Sequence, residues 1–500
     1  MTTTVDVLVP CKQNRLWMVT GATLTGALLR LYRIDHQSLW LDELFSVFLA
    51  RRGWADIVAG TAQDSLPPLY YFLLHPAISS GANDLLVRLG AAFFSILTIP
   101  LLYSLAITLF DVQTALASAW LLALNPFHIL FAQEARMYTL LALFSVAASF
   151  FFWRAWIQDR PRDWVLFSAA TALAFYTHTL AFLNLLALDL FALSQVSHLK
   201  RRWRTLLVAN TAVGILYLPW MVAVARQLTH VATEFSAGNR SPLSLVSAIY
   251  LFLFGQSLPA WAMPIALAIG LTLLAFILLA VRYHSSALAT YRPLWFAAFV
   301  FFVPVLGLYL ISLAQPLFVE RRLLPASLGL LLLLAWGIAH ARPRRLNKIL
   351  GVALVSMMLV TLPNYYFNPA VQKIPMREVA ERVAAQWQPG DVIIHTSDTS
   401  ALAFAYYRPE LPGFFLAGDP DYENLTNRGR AQRIAGLNPV LRESVVTGAR
   451  QVWLIVTLDH QVDYQRARVA EFDTHCRRVD HQNISGVDVL LYHVSEGCSQ

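Results

Sequence analysis

The chain has 500 residues, of which 57% are hydrophobic, 12% aromatic and 14% charged. A soluble globular protein carries about 25% charged residues, so this chain lacks the polar surface to coat a folded body in water. That excludes an ordinary cytosolic enzyme, a disordered chain and a fibrous one, and leaves an integral membrane protein. The net charge of +8 does not call for a nucleic-acid partner, because cytoplasmic loops of membrane proteins collect Lys and Arg. Three cysteines are too few for a disulfide scaffold or a cysteine-rich zinc cluster. Cys476 and Cys498 lie in the polar tail, where they can pair in an oxidising compartment, and Cys11 stands alone.

A bilayer core takes about 20 mostly apolar residues per helix, and runs of that kind predict about eleven spans. They cover residues 16–33, 85–110, 114–131, 137–153, 164–179, 180–196, 205–224, 261–281, 294–313, 323–340 and 349–363. The first follows Lys12 and Arg15 and is followed by Arg30 and Arg33 with no small-residue cleavage site, so it reads as an uncleaved anchor. With the N-terminus inside, Arg154/Arg160/Arg162, Lys200/Arg201/Arg202/Arg204, Arg282/Arg292 and Arg342/Arg344/Arg345/Lys348 all fall on the cytoplasmic side. The apolar stretch 243–256 is short, and counting it as a span reverses everything downstream. It is read as re-entrant or interfacial.

This topology puts residues 34–84 and everything after about 364 outside. Asp and Glu are scarce before residue 364 and concentrated after it. The expected division is therefore a membrane domain, 1–363, including the outer loop 34–84, and an extracytoplasmic soluble α/β domain, 364–500. In the tail the pattern predicts helices at 376–388 and 400–407, and strands at 391–395, 451–457 and 487–494.

The first outer loop holds the densest chemistry. Asp42 and Glu43 stand side by side among Trp40, Leu41, Leu44 and Phe45, just past a membrane helix. Apolar neighbours raise a carboxylate's pKa, which suits a general base; the alternative is that Asp42 caps a short interfacial helix. Asp64 follows, then Pro67-Pro68-Leu69-Tyr70-Tyr71. Gln133-Glu134-Ala135-Arg136-Met137-Tyr138 forms the second outer loop, with Glu134 and Arg136 either in the site or a solvated ion pair. Arg321 and Arg322 sit at the outer end of a late span, on the side the positive-inside rule does not explain; they snorkel to headgroups or bind an anion bidentately. His178, at an outer turn, binds substrate or ion or is a hydrogen-bonded structural residue. Asp189 lies within an apolar run, where an acid is a functional candidate by default and a structural partner is the alternative. Tyr70, Tyr71 and Trp40 can stack on sugar faces or serve as interfacial aromatics. Without His-x-x-x-His or a Cys cluster, no dedicated metal site is predicted, and no Gly-rich phosphate loop is present.

The Trp-Leu-Asp-Glu block at 40–43, Pro-Pro-Leu-Tyr-Tyr at 67–71 and Gln-Glu-Ala-Arg-Met-Tyr at 133–138 resemble the family 39 type glycosyltransferases. These belong to the GT-C superfamily, with the protein O-mannosyltransferases and the aminoarabinose transferases of lipid A. The likeness spans about the first 340 residues and implies a polytopic α-helical GT-C fold. It also implies a polyprenyl-phosphate-linked sugar donor, a lipid, glycan or protein acceptor, and reaction on the non-cytoplasmic face of a bacterial plasma membrane. Under it Asp42 is the catalytic base, Glu43 positions the sugar or acceptor, and Arg321 and Arg322 receive the leaving phosphate. Asp64, Tyr70, Glu134, Arg136 and His178 would line the substrate pocket; where relatives carry His, this chain has Asp64. Some relatives use a divalent ion, which leaves that cofactor open. The rival reading is a secondary transporter or lipid-linked-sugar flippase using intramembrane carboxylates such as Asp189, although the chain shows no internal symmetry between halves.

Overall fold

The computed structural model describes residues 12–81, 83–234, 240–283, 292–341, 343–424 and 426–494. Helix α1 (Lys12–Leu31) leads into a long loop folded into three short helices, α2 (Leu41–Ala50), α3 (Trp54–Gln63) and α4 (Leu69–Ser79). Then follow α5 (Asp84–Leu109), α6 (Val112–Leu124), α7 (Pro126–Ala132), α8 (Tyr138–Gln158), α9 (Pro161–Thr177), α10 (Phe182–Ser194) and α11 (Val196–Glu234). The helical part closes with α12 (Leu243–Phe254), α13 (Met263–Tyr283), α14 (Arg292–Ala314), α15 (Leu324–His340) and α16 (Arg344–Phe367).

Among the described residues six helices are long and apolar enough to cross a membrane: 84–109, 138–158, 196–227, 292–314, 320–340 and 344–367. A seventh is gained if α6 and α7, bent by 55°, count as one span. The sequence predicts about eleven spans by hydropathy, and the differences have local causes. Helix α1 carries Lys12, Asn14, Arg15 and Arg30 within its 20 residues. Helix α9 has 17 residues and starts with Arg162 and Asp163. The run predicted at 180–196 is a short apolar helix, 179–194. The stretch 243–256 folds as the 12-residue α12, about 18 Å long, too short for a core about 30 Å thick.

The bend between α6 and α7 shows how the bundle handles a broken helix. Pro126 has no N–H to continue the ladder, so the carbonyls that end α6 need other donors. Arg30, fully buried in α1, supplies them, donating to the carbonyls of Leu122 and Ala123 at 3.0 Å each and to Ser95 Oγ at 2.8 Å. Asn125 restarts the helix by accepting from His128 N at 3.0 Å, while its amide donates to the Phe252 carbonyl at 2.9 Å. The opposite ends of the helices are tied by other charges. His340 lies 2.6 Å from Asp111 between α15 and the start of α6, and Arg154 pairs with Asp163 at 3.3 Å across the α8–α9 turn.

After Phe367 the chain forms α17 (Met376–Gln386), β1 (Val392–His395), α18 (Asp398–Tyr407), β2 (Gly413–Phe415), α19 (Pro420–Glu423), α20 (Asn427–Ala435) and α21 (Arg442–Val446). It ends with β3 (Gln451–Val456), α22 (Val462–His475), β4 (Arg477–Ile484) and β5 (Val487–His493). The strands make one mixed sheet in the order β2-β1-β3-β5-β4, with β1 parallel to both neighbours and β5 antiparallel to β3 and β4. Ile394, Leu454 and Leu490 pair across its centre and are buried. The hairpin β4–β5 turns on Ser485-Gly486, both at positive φ, the backbone a two-residue primed turn requires. Cys476 is disulfide-bonded; Cys11 and Cys498 lie outside the described residues.

The tail docks on the first long loop through specific contacts. Arg377 pairs with Asp84 and donates to the Asp35 carbonyl at 2.8 Å, and its backbone N–H donates to Ser38 Oγ at 3.1 Å. Tyr407 OH donates to Asp84 at 2.8 Å and accepts from Leu39 N at 2.7 Å.

Candidate active site

Where α1 ends, α2 begins, α7 meets α8 and α15 begins, a cluster of charges converges. Asp42 lies in the first turn of α2, where a negative charge is favoured by the helix dipole. The N-cap of that helix is Trp40 rather than Asp42, and it is Glu43 that accepts the Trp40 N–H, at 3.3 Å. Capping therefore does not account for Asp42. Its Oδ2 lies 3.2 Å from Arg321 Nη1 and 4.0 Å from Arg136 Nη2, and 26% of its side chain is exposed. Arg136 is held by the backbone carbonyl of Asp42 at 3.0 Å and by Ser46 Oγ at 2.9 Å. Arg321 lies over the rings of Trp40 and Tyr138, 5.3 and 5.9 Å from their centroids, a cation–π arrangement.

Glu43 differs in every respect. Its side chain is fully buried and accepts from Arg88 at 2.8 Å through both oxygens, from Ala135 N at 2.8 Å and from Lys373 Nζ at 3.0 Å. Burial alone pushes its pKa up, but Arg88 and Lys373 outweigh it and hold the carboxyl down at about 2. In this arrangement Glu43 is fully buried and both its oxygens are engaged by protein donors. Arg88, one turn into α5, also donates to the carbonyls of Ile34, Gln37 and Ser38, so the guanidinium fork is fully used in stapling the loop.

Glu134 is joined to the same group through Lys373, 3.2 Å away. Burial raises its pKa above the ordinary carboxylate value. Asp64, half-buried at the end of α3, is raised by burial as well and interacts electrostatically with Arg136 and Asp42. Tyr70 and Tyr71 are buried beside these groups, their rings 6.0 Å apart. Around the cluster, Trp40 Nε1, Tyr70 OH, Tyr71 OH, Glu134 Oε2, Thr139 Oγ1, Arg136 Nε and Arg321 Nε are buried without hydrogen-bond partners among the described residues. Buried polar groups are ordinarily satisfied, so this concentration of unused donors and acceptors makes the cluster the candidate place for a polar molecule.

Comparison with known proteins follows the same outline. The family model for dolichyl-phosphate-mannose-protein mannosyltransferase matches residues 65–222, a stretch containing Arg88, Glu134, Arg136 and His178. ArnT from Cupriavidus metallidurans in the apo state superposes with a TM-score of 0.66 at 12% identity, over 96% of this chain and 98% of that one. The same protein bound to undecaprenyl phosphate gives 0.64 at 12% identity, over 97% and 99%. The oligosaccharyltransferase of Archaeoglobus fulgidus in the apo form gives 0.55 at 11% identity, over 97% of this chain and 75% of that one. The chain has the GT-C fold. No curated protein matches it by sequence. The resemblance read from the three sequence blocks is borne out, because the family model and the GT-C structures agree.

Within the GT-C fold the remaining predicted residues divide. Arg321 contacts Asp42 directly, whereas Arg322 donates to the Leu317 carbonyl at 2.7 Å and reaches Asp42 and Tyr138 only electrostatically. His178 accepts from Leu180 N at 3.1 Å and caps a turn. Burial, then Arg322, Arg136 and Arg321, bring its pKa down to about 3, so it is neutral at physiological pH. Asp189, the residue behind the transporter alternative, accepts from Asn210 on the neighbouring α11 at 2.9 Å. Among the described residues no three His, Cys, Asp or Glu side chains are grouped to hold a metal ion. Two members of the cluster escaped the sequence reading. Arg88 had a signal, a lone cation inside an apolar run; Lys373, in the connector between α16 and α17, had none.

Proposed function

We propose that the chain moves a sugar from a polyprenyl-phosphate carrier to an acceptor on the extracytoplasmic face of the membrane, with Asp42 as general base. The observation that carries this reading is an accessible carboxylate, Asp42, in contact with Arg321 and close to Arg136, amid unpartnered polar atoms suited to a sugar's hydroxyls. In the reaction Asp42 takes the acceptor hydroxyl proton as that oxygen attacks the anomeric carbon. The bond from that carbon to the phosphate oxygen breaks, and its electron pair stays on the departing polyprenyl phosphate. Arg321 neutralises the leaving phosphate, a preorganised electrostatic contribution. Glu43 touches neither substrate; with Arg88 it fixes the turn on which Asp42 sits. Glu134, Asp64 and Tyr70 line the sugar side, and a single displacement inverts the anomeric configuration.

The undecaprenyl phosphate in the ArnT structure supports the donor class. An extracytoplasmic α/β domain on the side of the site and an N-terminus inside complete the reading. The basic residues at the opposite helix ends agree with that orientation. The test uses purified protein in detergent with a lipid-linked sugar and no membrane gradient. Transfer predicts release of polyprenyl phosphate in step with glycosylated acceptor and an inverted product. Absence of release while the protein moves intact lipid-linked sugar across vesicles would replace the reading with a flippase.

A further inference from the structure

The segment between the last membrane helix and α17 is short, Asn368–Pro375, yet it reaches into the centre of the charge cluster. Its turn is built by Asn368, which accepts from Ala370 N at 3.0 Å, and it is held to the first loop by Lys373 N donating to Gln37 Oε1 at 3.2 Å. The Lys373 ammonium lies 3.0 Å from Glu43 and 3.2 Å from Glu134. It also lies 5.6 Å from the centroid of the Trp40 ring, the ring that Arg321 covers at 5.3 Å. One side chain thus contacts the carboxylate next to Asp42 in sequence, the carboxylate of the α7–α8 loop and the aromatic beneath the phosphate-facing arginine.

We propose that Lys373 is a positioning residue of the reaction chamber, holding Glu43, Glu134 and Trp40 in register so that Arg321 stays on Asp42. The physical ground is simple. Without the ammonium, Glu43 and Glu134 face one another in a buried space, and like charges there cannot both stay ionised without cost. Glu43 retains Arg88, so Glu134 is the group that must move or take a proton. The charged and titratable groups facing Glu134 are Glu43, Lys373, Arg321, Tyr70 and Tyr365. A consequence is that the tail takes part in the chemistry: the Arg377–Asp84–Tyr407 contacts that dock it also set where Lys373 lies.

The activity arm of the test rests on the transfer reading above, and the stability arm does not. In the full chain, Lys373→Met is expected to lower kcat about tenfold to a hundredfold, the scale of a small misplacement, with KM for the lipid-linked donor within about threefold. Lys373→Arg, which keeps the charge, is expected to recover most of kcat. In thermal melts, K373M should lose more stability at pH 8 than at pH 5, because a protonated Glu134 no longer repels Glu43. Adding E134Q to K373M should remove that difference. Wild-type kcat in K373M, or a melting loss independent of pH and unrelieved by E134Q, overturns the proposal. If K373M does not accumulate, recovery of folded K373M/E134Q supports it and continued failure overturns it. Failure of the wild type to transfer any sugar ends the transfer reading alone, since the melting cycle still decides the role of Lys373.

Discussion

Two of the charge clusters among the described residues invite comparison. The first is the chamber around Asp42. The second lies in the tail, at the carboxyl ends of the parallel strands β1 and β3, where open α/β sheets commonly bind ligands. There Arg428 grips both oxygens of Asp398 at 2.9 and 2.7 Å and lies 3.6 Å from Asp459. Thr399 donates to Asp459 at 2.6 Å, Ser397 and Thr457 meet at 2.9 Å, and Gln465 accepts from Thr396 at 2.8 Å and from Thr457 N at 3.1 Å. Each of these groups has a partner, although His395 Nε2 at the end of β1 and Gln432 Oε1 on α20 are buried without one among the described residues. The chamber has as much charge but leaves hydrogen-bonding capacity unused on Trp40, Tyr70, Tyr71, Glu134, Thr139, Arg136 and Arg321. The two clusters are alike in charge and differ in how many buried polar atoms lack a partner among the described residues.

That contrast is broken most severely by removing a chamber cation. Arg321→Met is expected to cut transfer about a hundredfold to a thousandfold, the usual loss for one preorganised donor, with the melting profile unchanged; retained transfer would make Arg321 a headgroup anchor. Arg88→Met acts through the fold instead, because it strips buried Glu43 of both guanidinium bonds and leaves it only Lys373 and the Ala135 N–H, at a cost of up to about 3–5 kcal/mol. Membrane yield and thermal midpoint should fall, and Glu43→Gln in the same chain should restore part of the loss. Arg428→Met in the tail is expected to cost less, about 1–3 kcal/mol, since that pair is partly exposed. Turnover per folded molecule should then stay within about twofold of wild type, and a larger drop would show the crevice to be functional.

The smallest effect is a titration. Glu43 is held at about 2 in the folded chain against an ordinary value of 4.5. Its contribution to stability is therefore complete above pH 4.5 and is lost as pH falls from 4.5 toward 2. Thermal melts across that window should show a decline that is shallower in Glu43→Gln.

Much of the chamber could be read from the chain because its parts sit at the ends of apolar runs. Asp42, Glu134, Arg136 and Arg321 all follow or precede such runs, and hydropathy alone puts them at one membrane level. The roles of Asp42 and Glu43 were not separable in this way. They are adjacent, and which one faces Arg88 depends on the rotation of α2 and on Arg88 projecting from α5, both tertiary facts. Lys373 was invisible for a similar reason, as its place follows from the tail docking through Arg377 and Tyr407 on Asp84. Hydropathy reads 114–131 as one run because it registers apolar content but not the 55° bend at Pro126.

The most direct test of the account is the rate of sugar transfer from a polyprenyl-phosphate donor to an acceptor hydroxyl by Asp42→Asn, measured beside the wild type at matched folded concentration. The account predicts a loss of about a hundredfold to ten-thousandfold with an unaltered melting curve. Undiminished transfer by the Asn variant would contradict it and remove Asp42 from the reaction.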